Sequence, residues 1–233
     1  MGMQIHFSID DVINSLRWLT QNKPNSIFDM DLYSTLKRWN EVYGIKVTCY
    51  IFESDAKIFH IGDIPKKYIE ELAENSSWLK FAYHGINDSY NNTFSNDNFE
   101  KQFLQIKEKF RQESLASTIR IHRWKLSVDE INFLYKNGVH SFLGPDDKER
   151  MAYDLSIDEI EELWNCGKIE RNNRFYIKTD IRYDNLNDID EIIPLIEKER
   201  LVIFGHENYF LRKKDLLEEL WNMLFYKKIT FWN

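Results

Sequence analysis

Apolar positions along the chain follow two alternating periods. Period-two or continuous β-branched and aromatic runs predict strands over Gln4–Ile9, Ile45–Phe52, Trp78–Tyr83, Thr118–His122, Val139–Leu143, Phe175–Ile181 and Leu201–Phe204. Helical spacing fills the intervals. Leu32, Leu36, Trp39 and Tyr43 share one face of a helix that stops at Gly44. Pro65 opens a helix running to about Asn75, and Phe99, Phe103, Ile106 and Phe110 stripe another over Asn98–Glu113. Ser127 and Glu130 form a capping box for a helix closed by Gly138; Ser156 caps one that ends at Gly167. Ile189–Arg200 and Lys214–Tyr226 read as the last two helices.

Strand–helix alternation implies an α/β protein with a parallel sheet, either a barrel or a doubly wound sheet. The chain has 233 residues, with 4 Pro and 8 Gly and no linker-like stretch, so one domain over 1–233 is expected. A net charge of −7 argues against a nucleic-acid partner, which requires a basic face. Cys49 and Cys166 fit neither a disulfide framework nor a CxxC spacing. The opening MGMQIHFSIDD has no basic or long apolar leader, and no run reaches the ~18 residues of a membrane span. The expectation is a soluble, cytoplasmic protein with no membrane partner.

In a barrel, chemistry collects where the strands end. Those ends carry Asp10 and Asp11, Glu53, His84 with Asp88 four residues on, Arg120 and His122, Asp180 and Arg182, and His206 with Glu207. Imidazole and carboxylate are ligands for Zn²⁺ and similar ions, and are also common general acids and bases. At the adjacent pair, one aspartate can bind a metal while its neighbour faces a water; either could instead cap the following turn. His206-Glu207 does not begin an HExxH helix, because the fourth residue after His206 is Phe210; Glu207 is expected to support its neighbours or touch substrate. His6 is expected to be packed in the core, and His60 and His140 to be incidental. Trp39, Trp164 and Trp221 sit on helical stripes. Trp124, Tyr90, Tyr209 and Phe210 follow strand ends and suit either sugar stacking or loop filling.

These residues resemble a known family. FSIDD (Phe7 to Asp11) is similar to the TFDD motif of NodB-like polysaccharide deacetylases. AYHGIND (Ala82 to Asp88) resembles their HSxxH motif, with Asp88 in place of the second histidine. Arg120 in RIHRW matches a family arginine, and VIFGH (Val202 to His206) resembles the last motif. TDIR (Thr179 to Arg182) replaces the family's second aspartate and tryptophan.

The resemblance implies a distorted (β/α)7 barrel and a metal-dependent hydrolase. Such an enzyme removes an acyl group, N-acetyl above all, from a carbohydrate or related small amide, with Zn as the expected ion. By position, Asp10 would be the base, Arg120 its charge partner, His206 the acid and Asp180 the group orienting that acid. Asp11 and His84 would ligate the metal, with Asp88 or alternatively His122 completing the shell. A cytoplasmic member would act on a soluble precursor such as a nucleotide- or lipid-linked sugar. Two other readings stay open: a catalytically impaired protein that binds glycan or metal, and a glycoside hydrolase using two carboxylates. The metal readings require Asp11 and His84 to lie within about 8 Å of each other.

Overall fold

All seven expected strands form, and they pair in parallel. They are β1 (Met3–Val12), β2 (Val47–Phe52), β3 (Leu79–Gly85), β4 (Thr118–Ile119), β5 (Ser141–Leu143), β6 (Arg174–Ile177) and β7 (Arg200–His206). The computed structural model describes residues 2–55, 58–87, 96–150, 153–227 and 229–233.

Pairing runs β7–β1–β2–β3 on one side and β4–β5–β6 on the other. Two weaker seams join the halves. Ala116 N–H donates to the Phe81 carbonyl at 2.9 Å, bringing the approach to β4 alongside β3. β6 breaks at residues 178–180 and resumes at Ile181–Arg182, where it leaves β5 and pairs with β7. The result is the distorted seven-stranded barrel.

Helices α1 (Asn14–Asn22), α2 (Asp31–Tyr43), α3 (Lys66–Glu74), α4 (Asn96–Lys109), α5 (Val128–Lys136), α6 (Ile157–Cys166) and α7 (Glu207–Phe225) fill the connections. Their punctuation follows the sequence signals. Ser127 and Ser156 form reciprocal capping boxes with Glu130 and Glu159. Gly44 and Gly167 adopt left-handed C-caps, φ 70° and 72°, where a side chain would be strained. Among the described residues no helix is long and apolar enough to cross a membrane.

Alternation along β1 sorts two cores. Ile5, Phe7 and Ile9 face the helices, where Phe7 meets Trp221 edge-on at 5.1 Å and Trp221 meets Trp39 at 6.1 Å. His6, Ser8 and Asp10 carry the other alternation. Inside the barrel Tyr50, Ala82, Leu143, Ile177 and Val202 form a small apolar cluster. A last strand, β8 (Ile229–Phe231), pairs with the start of β1, and Trp232 packs against that cluster. His6 is wholly buried between the Tyr50 hydroxyl (3.3 Å) and the Trp232 carbonyl (3.2 Å). Burial first, and then the charge of Arg120, push its pKa down to about 3, so it is a neutral core histidine at physiological pH.

Besides the break in β6, other segments depart from expectation. Ile189–Arg200 is not a continuous helix but two short 3₁₀ turns, Ile189–Glu191 and Ile193–Leu195. Pro194, which lacks an N–H and crowds the preceding turn, accounts for the break. α1 was not evident from the pattern. α7 begins at Glu207, directly after β7, rather than near Lys214.

β7 also carries a steric constraint. A Cβ on Gly205 would lie 2.3–2.5 Å from the Tyr183 ring, which is fully buried. Gly205→Ala should therefore force that ring aside and cost about 1–3 kcal/mol. Urea denaturation would show this as a lower midpoint; an unchanged midpoint would contradict the packing described.

Candidate active site

The end of β1 is where the strand's alternation fails. Pairing with β2 slips between Ile9 and Val12, and Asp11 has φ 58°. A bulge with a left-handed residue turns the chain, so Asp10 and Asp11 both serve the barrel mouth instead of pointing to opposite faces. Aspartate, like asparagine, tolerates left-handed backbone better than other residues with a Cβ, which suits this position to the turn.

Asp10 is 1% exposed. Arg120, fully buried on the segment leaving β4, donates from one Nη to Asp10 Oδ1 (3.1 Å), Asp10 Oδ2 (3.3 Å) and Ser8 Oγ (3.1 Å). Its other Nη donates to Thr179 Oγ1 at 2.9 Å, and its guanidinium lies 4.2 Å above the Phe204 ring. Burial raises the Asp10 carboxyl above its ordinary value, while the charges of Arg120, His84 and His206 oppose that rise.

His84 ends β3 and is 3% exposed. Its Nδ1 lies 2.6 Å from the Arg120 carbonyl oxygen, which can only accept, so the proton sits on Nδ1. When the ring is neutral, Nε2 is a bare lone pair. That atom stands 3.1 Å from Asp11 Oδ1, a buried oxygen with no other hydrogen-bond partner. Two acceptors facing each other at this distance suit a shared cation: ligands of one tetrahedral ion lie roughly 3.3 Å apart at bonds of about 2.0–2.1 Å. Burial would raise Asp11, but His84, His206 and His122 outweigh it and hold the carboxyl below its usual range.

His206 ends β7 in register with Asp10. Its Nδ1 is paired with Asp184 Oδ2, and its backbone N–H donates to Asp184 Oδ1 at 2.9 Å. Arg182 Nε donates to the same Asp184 Oδ2 at 2.8 Å. Burial alone would lower the His206 imidazole. The hydrogen bond to Asp184 and the charges of Asp10 and Asp11 prevail and hold it above the ordinary histidine value. Its Nε2 faces Asp11 Oδ2 at 3.7 Å.

Asp180 does not join this group. Its carboxylate takes Lys198 Nζ (2.6 Å) and the Val202 N–H (2.9 Å), four residues and about 13 Å below His206 along β7. It helps line a cleft of about 810 Å³ at the opposite end of the barrel, with Gln4, Trp164, Lys198 and Thr230. Asp184 rather than Asp180 meets His206 because β6 is interrupted and resumes: the true end of that strand lies at Arg182, in front of a 3₁₀ turn over Tyr183–Asn185.

His122 stands at the same mouth, its ring 5.4 Å from that of His84 and edge-on to Phe52 at 5.2 Å. Burial and then His84 lower its pKa to about 4, so it is neutral and can offer a lone pair. Asp88 and Tyr90 lie outside the described residues. Among the described residues no group of three or more His, Cys, Asp or Glu is close enough to form a metal site as it stands. Glu53 faces His60 at 3.4 Å, and Glu207 turns to backbone N–H groups of α1.

No family profile matches the sequence, and no curated protein matches it. Solved structures do resemble the fold. A 4-alpha-glucanotransferase from Thermococcus litoralis matches over 100% of this chain at TM-score 0.65 and 13% identity. This chain spans 39% of that protein's length. A peptidoglycan N-acetylglucosamine deacetylase matches over 98% of this chain and 85% of its own, at TM-score 0.51 and 10% identity. The barrel fold expected from the deacetylase-like motifs is thus the fold observed.

Asp184→Asn removes the charge that holds the His206 proton. Burial then dominates, and the His206 titration midpoint should fall by at least about one unit, a loss of about 1.4 kcal/mol. NMR titration of the imidazole would read it; an unmoved midpoint would rule out the Asp184–His206 coupling.

Proposed function

We propose that the chain is a metal-dependent hydrolase that removes an acyl group, N-acetyl above all, from a carbohydrate or related small amide. The observation that carries this reading is the Asp11–His84 pair. A buried carboxylate oxygen with no other partner stands 3.1 Å from the Nε2 of an imidazole whose Nδ1 proton is given to the Arg120 carbonyl. Asp11 and His84 would hold the ion, with His122 or Asp88 in the third place. A divalent ion there supplies polarisation of an acyl carbonyl and acidification of water, and zinc suits an N/O ligand set.

The remaining residues divide the proton work. Asp10, beside the proposed ligand Asp11, accepts a proton from the attacking water. Burial makes it more basic than an ordinary carboxylate, and Arg120 keeps it ionised and aimed. His206, protonated and steered by Asp184, delivers a proton to the departing amine or alcohol. Two groups displaced from their ordinary values fit an acid–base pair.

The carboxylates of Asp10, Asp11 and Asp184 at one rim suit a second reading, glycoside hydrolysis by two carboxylates. The two readings differ in metal dependence.

Acetate release from N-acetylglucosamine oligosaccharides would test the proposal. Activity should disappear with a chelator and return with Zn²⁺. Asp10→Asn should lower the rate at least ~10²-fold while the protein still binds the ion. Rate should rise with pH as Asp10 deprotonates, above the usual carboxylate range. It should fall again as His206 loses its proton, above the usual histidine range. Full activity in chelator would sink the reading and favour the carboxylate pair.

A further inference from the structure

α1 begins two residues after Asp11's neighbour Val12, yet it has no cap of its own. Its N-cap residue, Ile13, offers no side-chain hydrogen bond, and no acidic residue lies in its first turn. The missing acceptor comes from the far end of the chain. Glu207, 9% exposed, accepts from Ile13 N–H (3.1 Å) and Asn14 N–H (2.7 Å) through Oε2, and from Ser15 N–H (2.7 Å) through Oε1. Three bonds to an ionised acceptor, at the positive end of a helix, make a strong clamp.

The clamp's location gives it a further consequence. Glu207 directly follows His206, and the segment it grips directly follows the left-handed turn at Asp11. Asp10 and His206 are register partners on adjacent strands. We infer that Glu207 is a positioning residue: it fixes the exit of β1 to the exit of β7, and so sets Asp11 relative to His84 and His206. The inference builds on the proposed function but stands on backbone geometry that does not require it.

Glu207→Gln tests it, with Ser127→Ala as a control that loses the N-cap of a different helix, α5. Two readouts are taken at matched losses of melting temperature: Co²⁺ affinity with its visible spectrum, and the imidazole NMR resonances of His84 and His206 in metal-free protein. Glu207→Gln should weaken Co²⁺ at least tenfold, alter the spectrum and shift both imidazoles. Ser127→Ala should leave all of these within twofold of, or superimposable on, the parent. If the parent binds no Co²⁺ but the imidazoles still move, the positioning role stands and the metal reading falls. Imidazoles and affinity unchanged in Glu207→Gln would overturn the inference. Should that variant fail to fold, Glu207→Asp, which keeps the charge but withdraws it by one methylene, is read the same way.

Discussion

A fully buried arginine organises the barrel mouth. Taking a guanidinium out of water is expensive, and Arg120 offsets that cost with Asp10, Ser8, Thr179 and the face of Phe204. Such a pair contributes little net stability, since a well-packed apolar replacement is often as good. What it contributes is geometry. The side chain of Arg120 fixes Asp10 from β1 and Thr179 from the break in β6. Its backbone carbonyl orients the ring of His84 from β3. Removing the guanidinium would strand a buried carboxylate, a loss of about 3–5 kcal/mol.

Around that fixed point, burial and charge separate groups that begin alike. Asp10 and Asp11 are adjacent in sequence, yet the first is raised and the second lowered, because Asp10 is the more deeply desolvated and Asp11 is surrounded by three imidazoles. The histidines separate too. His206 is raised by Asp184 and the two aspartates, whereas His122 is lowered by burial and its neighbour His84. One carboxylate suited to taking a proton, one suited to staying ionised, one imidazole suited to carrying a proton and one suited to staying neutral are all present within a single rim.

Much of this was legible because it follows from local period and local chemistry. The strands declared themselves by apolar runs, and the rim residues by their position just beyond those runs. Ser127 and Ser156 announced their helices with their own glutamates. What escaped depended on distant partners or on a break. α1 lacks a local start signal because Glu207, 192 to 194 positions away, supplies it. Asp184 escaped, and Asp180 stood in its place, because nothing in the apolar run marks the interruption at residues 178–180; the resumed pair Ile181–Arg182 was the available signal. Pro194 was a visible warning against a helix over Ile189–Arg200.

Fold likeness to both a glucanotransferase and a deacetylase leaves the chemistry to the rim side chains. Transfer between two carboxylates needs both to face the reacting bond, roughly 5–9 Å apart. Here Asp10 is turned to Arg120, Asp184 to His206 and Arg182, and Glu53 to His60. Asp11 retains 21% side-chain exposure, and it faces a bare imidazole nitrogen rather than a second carboxylate. A partly open carboxylate set against a nitrogen lone pair repels it until something positive comes between them. A second proton on Nε2 would relieve the repulsion by making the ring an imidazolium that donates to Asp11, and a divalent cation between the two atoms would relieve it as well. Either way Asp11 is paired with an imidazole and not with a second carboxylate, which is the physical ground for preferring the proposed metal reading to the carboxylate pair.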